Sequence, residues 1–139
     1  MSSPLENFCG PGKPLKAEAP DAAEIAGLMR SGRARLTDAR NELLALESRF
    51  DLSYNAAHAF CLAALRNAGY RADKRYIVFQ LLSHTLNLGP EVWRVLSRCH
   101  DLRNKAEYGG DMAVDARIVA DLLNATNQVL NAIENLPDT

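Results

Sequence analysis

This sequence lacks the motifs that most often identify a metal or redox site. Its three cysteines form no CxxC pair, and its three histidines form no HExxH motif. A glycine-rich phosphate-binding loop is absent as well. Cys61 and Cys99 lie on apolar helical faces, where a free cysteine behaves as a small hydrophobic residue. We therefore expect neither a metal ion nor a cofactor.

Long apolar runs and a strong net charge are also missing. No window reaches the length of a membrane span, and no apolar segment follows a basic N-terminus. Hydrophobic residues make up 47% of the 139 residues and the net charge is −1, which argues against a disordered chain and against a general polyanion binder. The composition is typical of one globular domain, and we expect a cytoplasmic location without membrane contact.

The first half of the chain predicts an arm followed by two helices. Residues 1–20 are rich in proline and glycine, which favours an extended N-terminal arm. Apolar residues then keep helical phase over about 22–46, with Asp21 as the cap and Gly32 as a point where the helix kinks or splits. The nearly uncharged run from Phe50 through Ala68 predicts a central helix.

Smaller features refine this central helix. Ser48 or Asp51 is the expected N-cap, and Gly69 is expected just after the C-terminus. His58 lies within the apolar run, and we interpret it as a core histidine rather than a catalytic one.

The second half predicts three further helices. The apolar stretch around 77–82 fits a short strand or a short helix, and we choose a helix because a single strand would have no partner. A helix follows from Pro90 to about Gly110, and a last one follows Asp111 or Asp115. The prediction is an all-α, antiparallel bundle of four main helices plus a short one, forming a single domain over 21–139.

The stretch from Pro90 to Gly110 carries most of the candidate chemistry. Arg103 falls inside its apolar stripe, between Leu96 and Cys99 on a helical wheel. A charge there must be paired, for example with a carboxylate of another helix, or must reach water at an edge or interface. The neighbouring flank of the helix carries polar and aromatic residues. These are His100, Asn104 and Tyr108.

The segment HDLRNKAEY, from His100 to Tyr108, resembles the signature helix of the HEPN superfamily. Ribonucleases of that family carry an arginine, often followed by a polar residue such as asparagine, and a histidine five positions after the arginine. Arg103 and Asn104 match the first part, whereas Tyr108 stands at the histidine position. Taken over residues 21–136, the resemblance implies a small helical bundle that pairs as a homodimer, in a toxin–antitoxin-type or nucleotidyltransferase-associated system.

Tyrosine at position 108 bears on function. A phenol of pKa about 10 exchanges protons poorly near neutral pH, but it donates hydrogen bonds and stacks on bases. We predict a non-catalytic HEPN-like module that dimerises and binds a protein, a nucleotide or RNA, with Arg103, Asn104 and Tyr108 as ligand- or phosphate-binding residues. The alternative is a metal-independent ribonuclease that uses Arg103 with His100 or Tyr108 in a dimer cleft.

Two other features concern partners. Trp93 lies off the main stripe of its helix, as a second core contact or an interface anchor, and we expect it with His100 at the dimer interface. Basic and aromatic residues also alternate after the central helix, as in single-strand binders, although such a patch is more often a solvated turn. These residues are Arg66, Tyr70, Arg71, Lys74, Arg75 and Tyr76.

Overall fold

The structure, a computed structural model, describes the backbone of residues 4–109 and 114–136 and the side chains of 5–105 and 114–136. Its architecture is the predicted all-α bundle, with a small antiparallel sheet at one end. The elements in chain order are a 3-10 helix (Pro4–Phe8), β1 (Leu15–Ala17), α1 (Ala22–Ala39), α2 (Leu46–Asn67), β2 (Tyr70–Ala72), α3 (Arg75–Gln80), α4 (Leu82–Thr85), α5 (Pro90–Gly109) and α6 (Ala116–Glu134).

Helix α2 lies at the centre of the bundle. It packs mainly against α1 and α6, and also against α3, α5 and β2. Its large aromatic residues Phe50, Tyr54 and Phe60 are fully buried. Alanines between them let the neighbouring helices approach closely. The core around α2 contains Leu65, Leu96, Cys99, Leu122 and Val129, which are buried, and Leu62 is half-buried.

Gly32 is a packing position and not a break in α1. The helix runs without interruption from Ala22 to Ala39. A Cβ atom at Gly32 would overlap the Phe60 ring, with Phe60 Cδ1 only 2.8 Å away. Glycine therefore stays inside the helix because it allows α2 to come this close, and the packing offsets its low helix propensity.

The predicted boundary between the first two helices was wrong. Helix α1 ends at Ala39 instead of about residue 46, and α2 begins at Leu46 without a side-chain cap. Asn41 explains the early stop, since its Oδ1 accepts the Leu43 backbone N–H at 3.0 Å and stabilises a turn. Leu43, an apolar residue within the predicted range 22–46, is 95% exposed.

The two-stranded sheet was not predicted. Strand β1 pairs antiparallel with β2, from Leu15 opposite Ala72 to Ala17 opposite Tyr70. The predicted arm 1–20 thus contains a 3-10 helix and a strand, and their Leu5 and Leu15 side chains are buried in the core. Strands of three residues that pair across more than fifty positions leave no periodic signal in a sequence.

A buried arginine fixes this segment. Arg66 is 1% exposed, and its guanidinium donates to the backbone carbonyls of Glu18, Ala19 and Tyr70. It also pairs with the Glu24 carboxylate at 2.6 Å. The hydrogen bond from Arg66, with one from Arg71, lowers the pKa of the Glu24 carboxyl group. The charge is therefore paired and hydrogen-bonded, as burial of a guanidinium requires.

The N-cap predicted for α2 at Ser48 or Asp51 was wrong, because α2 begins at Leu46 and both residues lie inside the helix. Three other predicted cap residues are in place. Asp21 Oδ1 accepts the Ala23 N–H at 2.9 Å at the start of α1, and Asp115 caps α6 through Ile118 N at 2.8 Å. Gly69, with φ of 94°, follows α2 in the left-handed conformation. The ambiguous stretch is helical, as α3 and α4, which meet at Leu81. Asp111 lies outside the described residues. Among the helices that are described, none is long and apolar enough for a membrane span.

We predict that Gly32→Ala destabilises the protein although alanine favours helix. The added methyl group overlaps the Phe60 ring, and overpacking of this kind costs about 1–3 kcal/mol. Gly27→Ala in the same helix is the control, because its Cβ meets only Arg30 Nη2 at 3.8 Å, and it should stabilise by about 0.5–1 kcal/mol. Urea unfolding measures both, and a stabilised Gly32→Ala would contradict this account of the α1–α2 contact.

Candidate functional site

His100 is held by an aromatic cluster that joins α5 to α2 and α3. Its Nδ1 lies 2.8 Å from the hydroxyl oxygen of Tyr54, which is fully buried on α2. The His100 ring stacks on Tyr54, with centroids 6.1 Å apart, and meets the edge of Phe79 at 6.2 Å. Tyr76 lies on another side, also at 6.2 Å. These contacts fix the position of α5 relative to α3.

Both ring nitrogens of His100 have partners within the protein. The amide nitrogen of Asn104 lies 3.0 Å from Nε2. With this amide as donor, Nε2 accepts, and in the neutral ring Nδ1 carries the proton and donates to Tyr54. A proton transfer by His100 would have to break one of these hydrogen bonds. The geometry of His100 therefore suits a residue that holds α5 in place better than a general acid or base.

Arg103 has both an ion pair and an aromatic contact. Its Nε lies 3.5 Å from Asp51 Oδ1 on α2, which is the ion pair that the sequence left open as one of two roles. The Asp51 side chain is 57% exposed, and a pair of this kind is weak in water. Arg103 Cζ also lies 4.9 Å from the centre of the Tyr54 ring. Stacking of this kind orients a planar guanidinium, and a quarter of the side chain remains exposed.

The start of α3 brings further cations to the same place. An open concavity of about 530 Å³ lies between α3 and α5, and we call it the basic concavity. Among the described side chains, its lining contains three cationic ones and no acidic ones. The residues that line it are Lys74, Arg75, Tyr76, His100, Arg103 and Asn104.

The basic concavity joins two features that the sequence had kept apart. Lys74, Arg75 and Tyr76 belong to the patch after the central helix, and Arg103 belongs to the HEPN-like segment. The rest of the patch has another role. Arg66 and Tyr70 are buried, and Arg71 pairs with Glu18 at 2.6 Å, so the proposed patch over 66–76 is corrected to residues 74–76. Sequence alone gave no indication that these residues face α5.

A second cavity near α5 has a different charge pattern. It has a volume of about 340 Å³ and lies between α5 and α6. Its two arginines, Arg98 and Arg117, are balanced by Asp115 and Asp121. Anions are therefore attracted less strongly there than in the basic concavity.

His58 packs against the aromatic cluster and remains uncharged at neutral pH. Its ring meets the edge of Phe79 at a centroid distance of 6.0 Å. Burial lowers the pKa of His58 to about 4, and the positive charges of Arg75 and Arg103 act in the same direction. Its role is therefore that of an apolar support for the aromatic cluster.

Trp93 does not line the basic concavity as far as the described residues show, and the structure does not describe the side chain of Tyr108. Trp93 is half-buried against the protein's own core, and Arg94 Cζ lies 5.6 Å from the centre of its ring. The backbone of Tyr108 belongs to α5, but its side chain lies outside the described residues.

The cysteines are placed as core residues. Cys61 and Cys99 are buried, and burial raises the pKa of the Cys99 thiol to about 12 and that of Cys61 as well. Across the described side chains, no three of His, Cys, Asp and Glu are grouped so that they could hold a metal ion.

Comparisons of this chain with protein-family models, with curated proteins and with solved structures give no match.

We predict that His58 makes stability depend on pH below neutrality. A folded-state pKa of about 4 lies below the ordinary 6.5, so the unfolded chain binds the proton more tightly and stability falls as the pH drops from 6.5 towards 4. Between pH 7 and pH 5 the loss from this group is about 2 kcal/mol. Urea unfolding of wild type and His58→Gln measures it, and equal pH dependence in both proteins would contradict the assignment.

Proposed function

We propose that this protein is a non-catalytic, HEPN-like helical module that dimerises and binds RNA or a nucleotide through the basic concavity. The observation that supports the proposal is the convergence of Lys74, Arg75 and Arg103 on one open surface of a chain whose net charge is −1. Local positive charge on a nearly neutral protein is suited to a phosphate-bearing ligand and gives salt-sensitive binding.

The three cations would act in different ways. Arg103 presents a planar guanidinium that is already oriented by the Tyr54 ring, which suits bidentate binding of a phosphate. The Asp51 pair is weak enough for a phosphate to displace it or share it. Lys74 and Arg75 are exposed and add charge at the opposite wall. Asn104 is half-buried beside Arg103, and its amide is already turned towards His100.

Several observations favour binding over cleavage. A general base works best with a pKa near the operating pH. His58, with a pKa of about 4, is too weak a base at neutral pH, and both nitrogens of His100 are already bonded. Tyr108 replaces the histidine that HEPN ribonucleases carry. None of the three is suited to take a proton from a ribose hydroxyl.

We predict that Arg103→Ala and Arg75→Ala each weaken binding of a single-stranded oligoribonucleotide of about ten nucleotides. Loss of one charged contact should cost about tenfold in affinity, or ~1.4 kcal/mol. Fluorescence anisotropy at low salt measures this. The matched control is Arg98→Ala, an exposed arginine of the same helix five positions before Arg103 and hence about 140° away.

The same samples test the enzyme alternative. In the presence of a chelator, wild type should cleave the oligoribonucleotide no faster than Arg103→Ala. Cleavage that disappears in Arg103→Ala would contradict the non-catalytic assignment and favour the ribonuclease. If wild type, Arg75→Ala and Arg103→Ala bind the oligoribonucleotide with equal affinity, the proposal that the basic concavity is the ligand site is contradicted.

Dimerisation through α5 is the other part of the proposal. Its support is the HEPN resemblance together with the exposed part of Trp93, which is an amphipathic side chain suited to an interface anchor. We predict a dimer in sedimentation velocity at micromolar concentration, weakened by Trp93→Ala. A strictly monomeric wild type, unchanged by Trp93→Ala, would remove the dimer from the account.

A further inference from the structure

Another concavity, different from the cavity between α5 and α6, adjoins the basic concavity and extends it towards the N-terminal segment. It has a volume of about 480 Å³ and includes Gly12, Lys13 and Pro14 in its lining. Lys74 and Tyr76 line both concavities, so the two are adjacent at these residues. We call this neighbouring space the arm concavity. Together the two form one continuous surface from α5 to the arm.

The arm concavity has a different chemistry from its neighbour. It has Lys13 and Lys74 as cations, one carboxylate from Asp73, and the apolar surfaces of Pro14 and Ile77. A carboxylate repels a phosphate but accepts hydrogen bonds from the amino groups of bases. The basic concavity thus suits a phosphate, and the arm concavity suits a base whose phosphates reach the lysines.

Tyr76 stands between these two environments. It is one of the exposed large hydrophobic side chains among the described residues, with 37% of its surface accessible. Its ring lies beside that of His100, which limits its freedom on one side. An aromatic ring in this position is a platform on which a base can stack, and base stacking tolerates any sequence.

The arm itself is held in place. Strand β1 pairs with β2 directly after Pro14, and Arg66 binds the carbonyls of Glu18 and Ala19. Lys13 belongs to a turn closed by its own N–H to Gly10 O at 3.0 Å, and its ammonium group reaches Asn7 O at 3.1 Å. Lys13 is therefore positioned before a ligand arrives, which reduces the entropic cost of binding.

We propose that the ligand is single-stranded nucleic acid several nucleotides long, which runs from Arg103 across Tyr76 to Lys13. This inference rests on the proposed function and narrows it from any phosphate-bearing ligand to an extended, unpaired strand. A duplex keeps its bases stacked on one another and cannot place one on Tyr76. A mononucleotide in the basic concavity leaves the arm concavity, which Lys13 lines, unoccupied.

The test compares the length, the strandedness and the sugar of the probe. Anisotropy is measured with a dinucleotide, with RNA and DNA single strands of about eight nucleotides, and with a duplex of the same sequence. The eight-nucleotide single strand should bind at least tenfold more tightly than the dinucleotide or the duplex. The DNA strand shows whether the ribose hydroxyl contributes, and tight binding of either single strand supports the proposal.

Two pairs of variants test the path of the strand. Tyr76→Ala should lose about tenfold in affinity for the long strand, within the range for one stacked base, whereas Tyr76→Phe keeps the ring and most of the affinity. Lys13→Ala should weaken the long strand several-fold and change the dinucleotide less than twofold. Lys105 is an exposed lysine of α5, and Lys105→Ala is the control for Lys13→Ala. Circular dichroism checks that each variant folds.

The salt dependence of the binding affinity measures the number of phosphate contacts. Four cations, Lys13, Lys74, Arg75 and Arg103, line the path. At about −0.7 per contact for single strands, the slope of log K against log salt should be about −3, and Lys13→Ala should reduce it by about 0.7.

The outcomes separate the two proposals. If the duplex binds as tightly as the single strand, or if Lys13→Ala and Tyr76→Ala bind like wild type, the proposal of an extended single strand is contradicted. Arg103-dependent binding of the dinucleotide would then still support the proposed function. If no probe binds at low salt, both proposals fail.

Discussion

The burial of helix α2 is the constraint on which the rest of the structure depends. A helix with apolar residues on nearly every side must be covered all round, and α1, α6, α3, α5 and β2 do so together. Close approach is achieved with small residues, as at Gly32, where α1 meets the Phe60 ring. The buried hydroxyl groups of Ser53 and Thr126 face each other at 3.4 Å between α2 and α6, which satisfies polar atoms within this core.

The candidate site is a consequence of the same helix. Tyr54 of α2 binds His100 through its hydroxyl group and supports the Arg103 guanidinium with its ring. Phe79 of α3 packs against both Tyr54 and His100. The aromatic cluster therefore sets the distance between α3 and α5, and the cations of the two helices meet because of it. At the other end of α2, Arg66 fixes the arm that borders the extended surface.

Much of the fold was accessible from local signals. The apolar spacing of α5 and α6 predicted their buried faces, and the caps at Asp21 and Asp115 were identified because an N-cap is a one-residue chemical feature. The boundary after Ala39 was missed, because Leu43 and Leu46 continue the helical phase while the Asn41 turn breaks the chain. The spacing of apolar residues cannot show that a local turn ends a helix while the helical phase continues.

The grouping of the residues in the candidate site could be predicted only in part. Arg103, His100 and Asn104 do lie together, as their spacing on one helix requires. Their meeting with Lys74 to Tyr76 depends on tertiary packing, which no local pattern encodes. The burial of Arg66 was missed for a related reason, since its partners Glu18 and Glu24 are more than forty positions away. The side chain of Tyr108 lies outside the described residues, so its predicted role stays a prediction.

The most direct test of the central claim is an NMR titration of the ¹⁵N-labelled protein with a short single-stranded oligoribonucleotide. The account predicts that amide shifts concentrate at 74–76 and 100–104 and extend to 12–14. The mixed-charge cavity around Arg98 and Arg117 serves as an internal reference and should change little. Shifts centred on that cavity, or spread over α1 with none at 74–76 and 100–104, would contradict the claim that the aromatic cluster builds a nucleic-acid-binding surface.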